Sequence, residues 1–197
     1  MIKNLAEFLR KKTTRPVNTN PEENLNNQWL AVKAIENRKK DIAWRLFHRA
    51  LPLGYQLRHI NPEENGDCTW CIDELQTIKH FIIDCRISQE IWKTAYSFLN
   101  TGQAELPPKT VEEIFDVSNI KNEKGSQAAL WLHINTVYEI WCQYTRVKWR
   151  EEYQTLTGIL NIVKCRLNKE VKILQHSLKK FTSKKKENLY KFLRHEG

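Results

Sequence analysis

Glycine is scarce in this chain, and long apolar runs are missing. Only 6 of the 197 residues are glycine, and their spacing builds no loop that could cradle a phosphate. No apolar run approaches the length of a membrane span, and residues 1–12 lack the apolar centre of a secretory signal. We therefore expect no nucleotide-binding loop and no contact with a membrane, and a nuclear or cytosolic location.

Strand-like alternation of apolar and polar residues is also scarce. Apolar residues recur instead at three and four residues, as on the stripe of Ile87, Ile91, Trp92, Ala95 and Phe98. Hydrophobic residues make up 41% of the chain, which is enough for a real core at this length. The sequence predicts an all-α fold, a multi-helix domain.

The sequence carries one cluster of metal-ligating residue types. Cys68 and Cys71 form a Cys-x-x-Cys turn, and His80 and Cys85 follow after an interval long enough to reverse the chain. Three thiolates and one imidazole are the ligands of a closed tetrahedral zinc site, so we predict structural Zn²⁺ with no position for substrate. Two alternatives are buried reduced cysteines and disulfides, but 5 cysteines is an odd count for a disulfide framework.

The spacing of the second ligand pair has a local consequence. Thr77 is placed to cap a short helix through His80. On one ideal α-helix His80 and Cys85 would point in different directions. We therefore expect Cys85 at or just past the end of that helix.

The positive charge is concentrated in the last quarter of the chain. The net charge is +9, and residues 146–197 contain 14 Lys and Arg against 5 Asp and Glu, while residues 1–145 contain 18 of each. Such an asymmetry indicates a polyanionic partner, RNA or DNA before a membrane, although a solvated basic helix face is the plainer alternative. The predicted contact residues are Lys164, Lys172, Lys179, Lys180, Lys184, Lys185 and Lys186.

Two tryptophans stand apart from the apolar stripes. Trp70 lies inside the Cys-x-x-Cys turn, where we expect its ring to project outward and stack on an unpaired base. Trp149 lies between Lys148 and Arg150 and is the second candidate for stacking. Cys142 and Cys165 fall in helical patterns without an acid or base nearby, so we expect buried thiols there.

We divide the chain into three parts. Residues 1–24 form an N-terminal helix and linker, residues 25–150 a helical zinc-binding domain, and residues 151–197 a basic amphipathic helical extension. Thr110 and Glu113 have the form of a capping box, and Gly158 is the expected break before the last long helix. The apolar stripe of that helix, Leu160 to Phe181, is either core or a seam for a homodimer or a helical protein partner.

A wider set of residues carries a resemblance to a known module. The zinc motif lies between a Trp44-Arg45-Leu46 helix that leads to Ala50-Leu51-Pro52 and a Trp92 after the last ligand. This order resembles the zinc-binding region downstream of the reverse transcriptase domain in non-LTR retrotransposon proteins, where Glu is common at the position of Gln76. The resemblance covers roughly Trp29 to Trp149, but the Arg-Asn usual after the later Trp141 is absent.

The resemblance implies a non-catalytic module associated with nucleic acid. The chain contains no Tyr-x-Asp-Asp quartet of a polymerase. Glu170 and Lys172 form the Glu-x-Lys of its region but lack the upstream Pro-Asp of a nuclease, so we interpret Glu170 as a helix charge. The alternative function is a zinc-stabilised scaffold for protein interaction, which steep salt dependence of binding would exclude.

Overall fold

The computed structural model describes residues 35–71, 73–98, 107–116 and 123–179. Its elements, in chain order, are α1 (Asn37–Phe47), α2 (Gly54–Arg58), a π-helical turn (His80–Asp84), α3 (Arg86–Tyr96), a 3₁₀ turn (Glu112–Ile114), α4 (Glu123–Arg150) and α5 (Leu156–Lys179). Within these ranges there is no strand, only an isolated antiparallel bridge between Asp67 and Leu75. The all-α prediction is confirmed. The predicted helix of residues 1–24 lies outside the described residues.

Helix α4 is the centre of the fold. Helix α1 packs on α4, and α3 packs against both α4 and α5. One apolar core therefore joins these four helices. Trp92 and Trp131 are each 1% exposed, and Tyr144 is fully buried. Aromatic side chains of this size bury the most apolar surface per residue, so these rings provide much of the packing energy of the core. No helix in the described part of the chain is long and apolar enough to cross a membrane.

Of two predicted helix boundaries, the cap at Thr110 is confirmed and the break at Gly158 is wrong. The Glu113 amide donates to Thr110 Oγ1 at 3.2 Å, which confirms the cap, although it opens a 3₁₀ turn. Gly158 does not separate the last two helices. Helix α4 ends because Glu151 adopts a positive φ of 57°, and Thr155 begins α5 by accepting the Gly158 amide at 3.2 Å.

The apolar stripe of α5 is core over its described length. Ile159, Val163, Leu167 and Val171 are all at most 4% exposed, and α5 packs against α3 and α4. These four residues are therefore unavailable as a seam for a homodimer or another partner. Such a seam stays a prediction only for Leu174, Leu178 and Phe181, whose side chains lie outside the described residues.

Buried polar side chains connect α1, α4 and α5. Lys39 of α1 is 2% exposed, and its Nζ donates to Asn135 Oδ1 of α4 at 2.8 Å and pairs with Glu170 Oε2 of α5 at 2.7 Å. Nearby, Arg166 of α5 pairs with the buried Glu139 of α4 at 3.1 Å. Buried charges need such partners because desolvation is costly. Glu170 is thus a helix charge, as predicted, but one that holds a buried lysine.

Candidate metal centre and basic helix face

A short hairpin, formed by residues 66–71 and 73–76, presents the first two cysteines. The Cys68 amide donates to the Glu74 carbonyl at 2.8 Å, and the Gln76 amide donates to the Gly66 carbonyl at 3.0 Å. Gly66 has a φ of 79°, which a residue with a side chain rarely adopts. We call this hairpin the knuckle. It reverses the chain so that Cys68 and Cys71 face the segment that follows Gln76.

Gln76 fastens the knuckle to α2. Its side chain is fully buried, and its Oε1 accepts the Gly54 amide at 2.8 Å. This bond satisfies a free amide at the start of α2, which has no preceding turn to pair with. The contact uses the amide oxygen of Gln76, and the Nε2 of the same side chain is buried without a hydrogen-bond partner among the described residues. No local pattern in the sequence predicts this contact, since Gly54 lies far from Gln76 along the chain.

The second ligand pair lies at the two ends of a π-helical turn, with His80 as its first residue and Cys85 directly after its last. The His80 amide donates to Thr77 Oγ1 at 3.0 Å, which confirms Thr77 as a cap, and the Cys85 amide donates to the His80 carbonyl at 2.7 Å. Cys85 has extended backbone, so it lies just past the end of the turn, as predicted.

Helix α3 satisfies the carbonyls that the π-helical turn leaves free. Ser88 Oγ donates to the Phe81 carbonyl at 2.6 Å, and Trp92 Nε1 donates to the Ile82 carbonyl at 2.8 Å. Buried carbonyls without partners would destabilise the turn. Trp92 is thus more than an apolar residue that follows the motif, because its indole N–H completes the backbone bonding of the turn that carries His80.

The structure brings together the four residues that the spacing singled out. One ligand atom from each of Cys68, Cys71, His80 and Cys85 lies within 4.8 Å of the others. Cys85 Sγ is 3.9 Å from Cys68 Sγ and 3.7 Å from Cys71 Sγ. Sulfur atoms about 2.3 Å from a tetrahedral zinc are about 3.8 Å apart, whereas a disulfide requires about 2.0 Å. All three cysteines are free thiols.

The three thiols of the cluster meet backbone N–H groups, whereas the imidazole has a ring nitrogen without a partner. His80 Nε2 is buried and has no hydrogen-bond partner among the described residues. The hydrogen bond with Cys85 lowers the pKa of the Cys68 thiol, while the same bond and burial raise the pKa of Cys85. Burial also raises the pKa of Cys71. Three thiols this close favour joint ionisation only when a cation balances the charge, which is what a bound Zn²⁺ supplies.

A comparison with known families agrees with this geometry. Residues 4–92 match the family model described as zinc-binding in reverse transcriptase. This part of the chain is therefore similar to a zinc-binding region of that kind. Its last matched residue is Trp92, so the later segment to Trp149 that also resembles the family lies beyond the match. Neither a comparison with curated proteins nor one with solved structures gave a match.

Trp70 packs inward, contrary to the expectation from its position in the turn. Its ring lies nearly parallel to Phe81, with 13° between the planes and 6.2 Å between centroids, and its edge meets Tyr144 at 6.4 Å. The reason is that the knuckle folds over the core, to which Phe81 of the π-helical turn and Tyr144 of α4 belong. The Trp70 ring therefore packs the knuckle onto the core. Base stacking on it stays a prediction.

The lysines predicted to contact nucleic acid lie on α5 or have side chains outside the described residues. Lys164 and Lys172 share the outer face of α5 with Lys169, which was not among the residues predicted from the sequence. Cys165 lies on the same face and is exposed, so the expectation of a buried thiol is wrong there. The side chains of Lys179, Lys180, Lys184, Lys185 and Lys186 lie outside the described residues.

The outer face of α5 is polar and basic. It is directed away from the buried stripe of Val163, Leu167 and Val171, because residues three and four apart share one side of a helix. Its members are Asn161, Lys164, Cys165, Asn168, Lys169 and Lys172. Glu170, the acidic residue among the described side chains of α5, lies on the inner side with Lys39. The carboxylate of this helix is thus directed away from the face that carries its lysines.

Proposed function

We propose that the chain is a non-catalytic module that binds RNA or DNA mainly through backbone phosphates, with zinc holding the fold in shape. The observation that carries the proposal is the basic outer face of α5. Lysines presented in a row along one helix face neutralise successive phosphates and release their counterions. The lysines from Lys179 onward would extend the same track. Such a module would work in the nucleus or the cytosol, where thiols stay reduced.

The charges elsewhere in the described chain support this choice of surface. Many cations outside α5 are paired, as Lys79 is with Asp84, Lys93 with Glu90, and Arg45 with Asp41. Paired cations contribute little to attraction of a polyanion, because the neighbouring carboxylate repels it. Lys169 and Lys172 form no ion pair with a described residue, so their charge remains available for phosphate.

The non-catalytic part of the proposal has its own support. The metal cluster has four protein ligands, and a closed tetrahedral site leaves no position for a reacting water. Glu170, the carboxylate closest to a nuclease motif, is engaged by the buried Lys39 at 2.7 Å. A carboxylate committed to a buried ion pair is poorly placed to bind a catalytic metal ion.

The test is a comparison of two triple variants with equal loss of charge. In the first, Lys164, Lys169 and Lys172 become Gln. In the control, Arg45, Lys79 and Lys93 become Gln, each of which is paired with a carboxylate in the structure. Affinities for single-stranded and duplex RNA and DNA are measured over a range of salt concentrations.

The triple variant of the α5 face should weaken binding to all sequences about equally. It should also reduce the slope of log affinity against log salt by about 2 to 3, because each phosphate that is no longer neutralised removes about 0.7–0.9 from the slope. The control should retain most of the slope. Equal effects of the two variants would assign binding to net charge alone and overturn the α5 face. Absence of any salt-dependent binding by the unchanged protein would overturn the function itself.

A further inference from the structure

The end of α4 and the turn that follows it expose two aromatic rings close together in the chain, and we call this segment, residues 149–153, the turn. Trp149 is 45% exposed and Tyr153 is 77% exposed, and Leu156 at the start of α5 is 38% exposed. Aromatic residues usually bury most of their surface, and a group of exposed apolar residues marks a site of interaction. The Trp70 ring, by contrast, is packed against the core.

The turn is fixed by its own backbone. Glu151 has a φ of 57°, which ends α4, and the Glu152 amide then donates to the Arg146 carbonyl at 3.0 Å. The Tyr153 amide donates to the Glu151 carbonyl at 3.1 Å. These bonds hold Tyr153 away from the core, so its exposure follows from the conformation of the turn.

Cations surround the exposed rings. Lys148 Nζ lies 5.9 Å from the centroid of Trp149, within the range of a cation–π contact. Lys148 also pairs with Glu64, and Arg146 and Arg150 share the carboxylate of Glu152, at 3.7 and 4.0 Å. Glu151 adds a third carboxylate, so the cations and carboxylates of this group balance, and the site is distinguished by its exposed rings. Exposed rings among Lys and Arg are typical of platforms for single-stranded nucleic acid.

We propose that this turn is a stacking platform for unpaired bases, so that the module prefers single-stranded RNA or DNA to duplex. The proposal rests on the proposed function and adds the form of nucleic acid to it. Stacking requires a base whose face is free, which a duplex does not offer. A strand whose bases stack on Trp149 and Tyr153 could continue along α5, where the basic face begins at Asn161 about one and a half helical turns after Leu156.

The test compares Trp149→Ala and Tyr153→Ala with Tyr55→Ala. Tyr55 is a matched control because it is 46% exposed and lies on α2, in another part of the structure. The probes are a short uridine oligonucleotide and an RNA duplex of the same length. We expect each turn variant to lose roughly ten-fold in single-strand affinity, with little change for duplex and an unchanged salt slope, because stacking neutralises no phosphate. Tyr55→Ala should bind as the unchanged protein does.

Several outcomes would overturn the platform. Equal affinity of the unchanged protein for single strand and duplex would do so, as would unchanged single-strand binding by turn variants that keep their zinc and helical signal. If the variants instead dissociate a dimer in sedimentation without affecting oligonucleotide binding, the turn serves a second copy of the chain. Loss of binding in the α5 lysine variant, with no effect of the turn variants, would leave the proposed function intact and remove only this inference.

Discussion

The amide of Cys85 donates to the carbonyl of His80 at 2.7 Å, across a turn wider than that of an α-helix. A π-helical turn bonds residues five apart, which is the spacing of these two ligands. An α-helical turn of the same length would direct Cys85 away from His80. The unusual turn therefore allows two ligands on one short segment to serve one metal ion.

Zinc removal should unfold the region around this turn. We expect the purified chain to carry about one Zn²⁺ and to lose helical signal when a chelator removes it, because the ligands join the knuckle to the π-helical turn. Cys71→Ser should have the same effect as chelation, measured by metal analysis and circular dichroism. Cys165→Ser, which changes an exposed thiol outside the cluster, should alter neither the zinc content nor the helical signal. A metal-free chain with its full helical signal would contradict a structural role.

Gly54 should tolerate no side chain, because the backbones of α2 and the knuckle approach closely there. A Cβ at Gly54 would lie 2.6 Å from the Gly66 carbonyl oxygen and 3.1 Å from Gln76 Oε1. We expect Gly54→Ala to lower the free energy of unfolding by about 2 kcal/mol, within the range for overpacking. The control is Gly158→Ala in α5, where the nearest atom is the Thr155 hydroxyl at 3.3 Å. Its effect in urea unfolding should stay within about 0.5 kcal/mol, and an equal loss there would contradict the close-contact account.

The metal ligands could be predicted from the sequence because ligand types and short spacings are local. The caps at Thr77 and Thr110 could be predicted for the same reason. Contacts between segments that are distant in the sequence could not be predicted in this way. The inward packing of Trp70 depends on where the knuckle meets α4, and the burial of Lys39 depends on Glu170 from the far end of the described chain. The end of α4 was misplaced because Glu151 adopts a conformation that its residue type does not favour.

The ion pair of Lys39 and Glu170 should matter far more than exposed pairs do. Its lysine side chain is 3% exposed and its glutamate side chain 19% exposed. Glu170→Ala leaves a buried cation with the Asn135 amide and the Tyr138 ring as neighbours but without its paired carboxylate, so we expect a loss of about 3 kcal/mol in the free energy of unfolding. Glu90→Ala, which removes an exposed pair with Lys93, should cost at most about 0.5 kcal/mol. The double change Lys39→Met with Glu170→Leu should recover most of the loss, and failure to do so would point to a polar role beyond charge balance.

His133 should make the protein less stable in mild acid. Its Nδ1 donates to the Ile114 carbonyl at 2.9 Å, so Nε2 accepts the Tyr96 hydroxyl at 2.7 Å, and the ring is held neutral. Burial lowers the pKa of His133 to about 4. The unfolded chain takes up its proton near its ordinary pKa of about 6.5, so stability is complete above that pH and is lost progressively as the pH falls towards 4.

Urea unfolding at about pH 7.5 and about pH 5.5 measures the effect of His133. From the two pKa values we expect His133 to account for a loss of about 1.3 kcal/mol between these conditions. His133→Gln should lack this part of the pH dependence. The zinc site is present in both proteins, so its own response to acid cancels in the comparison. Identical pH dependence of the two proteins would show that the folded state protonates His133 as readily as the unfolded chain does.

Trp70 should act on zinc retention, because its ring packs the knuckle that carries Cys68 and Cys71 against Phe81 and Tyr144. We expect Trp70→Ala to lose about 2–3 kcal/mol of stability, less than a fully buried tryptophan would, and to release zinc to a chelator faster. Trp70→Phe should retain most of both properties. At temperatures where Trp70→Ala remains folded and holds zinc, its affinity for single-stranded RNA should fall by less than about two-fold, since the ring packs on protein. A ten-fold fall under those conditions would instead support the base contact expected from the sequence, at the roughly 1–3 kcal/mol of one stacked base.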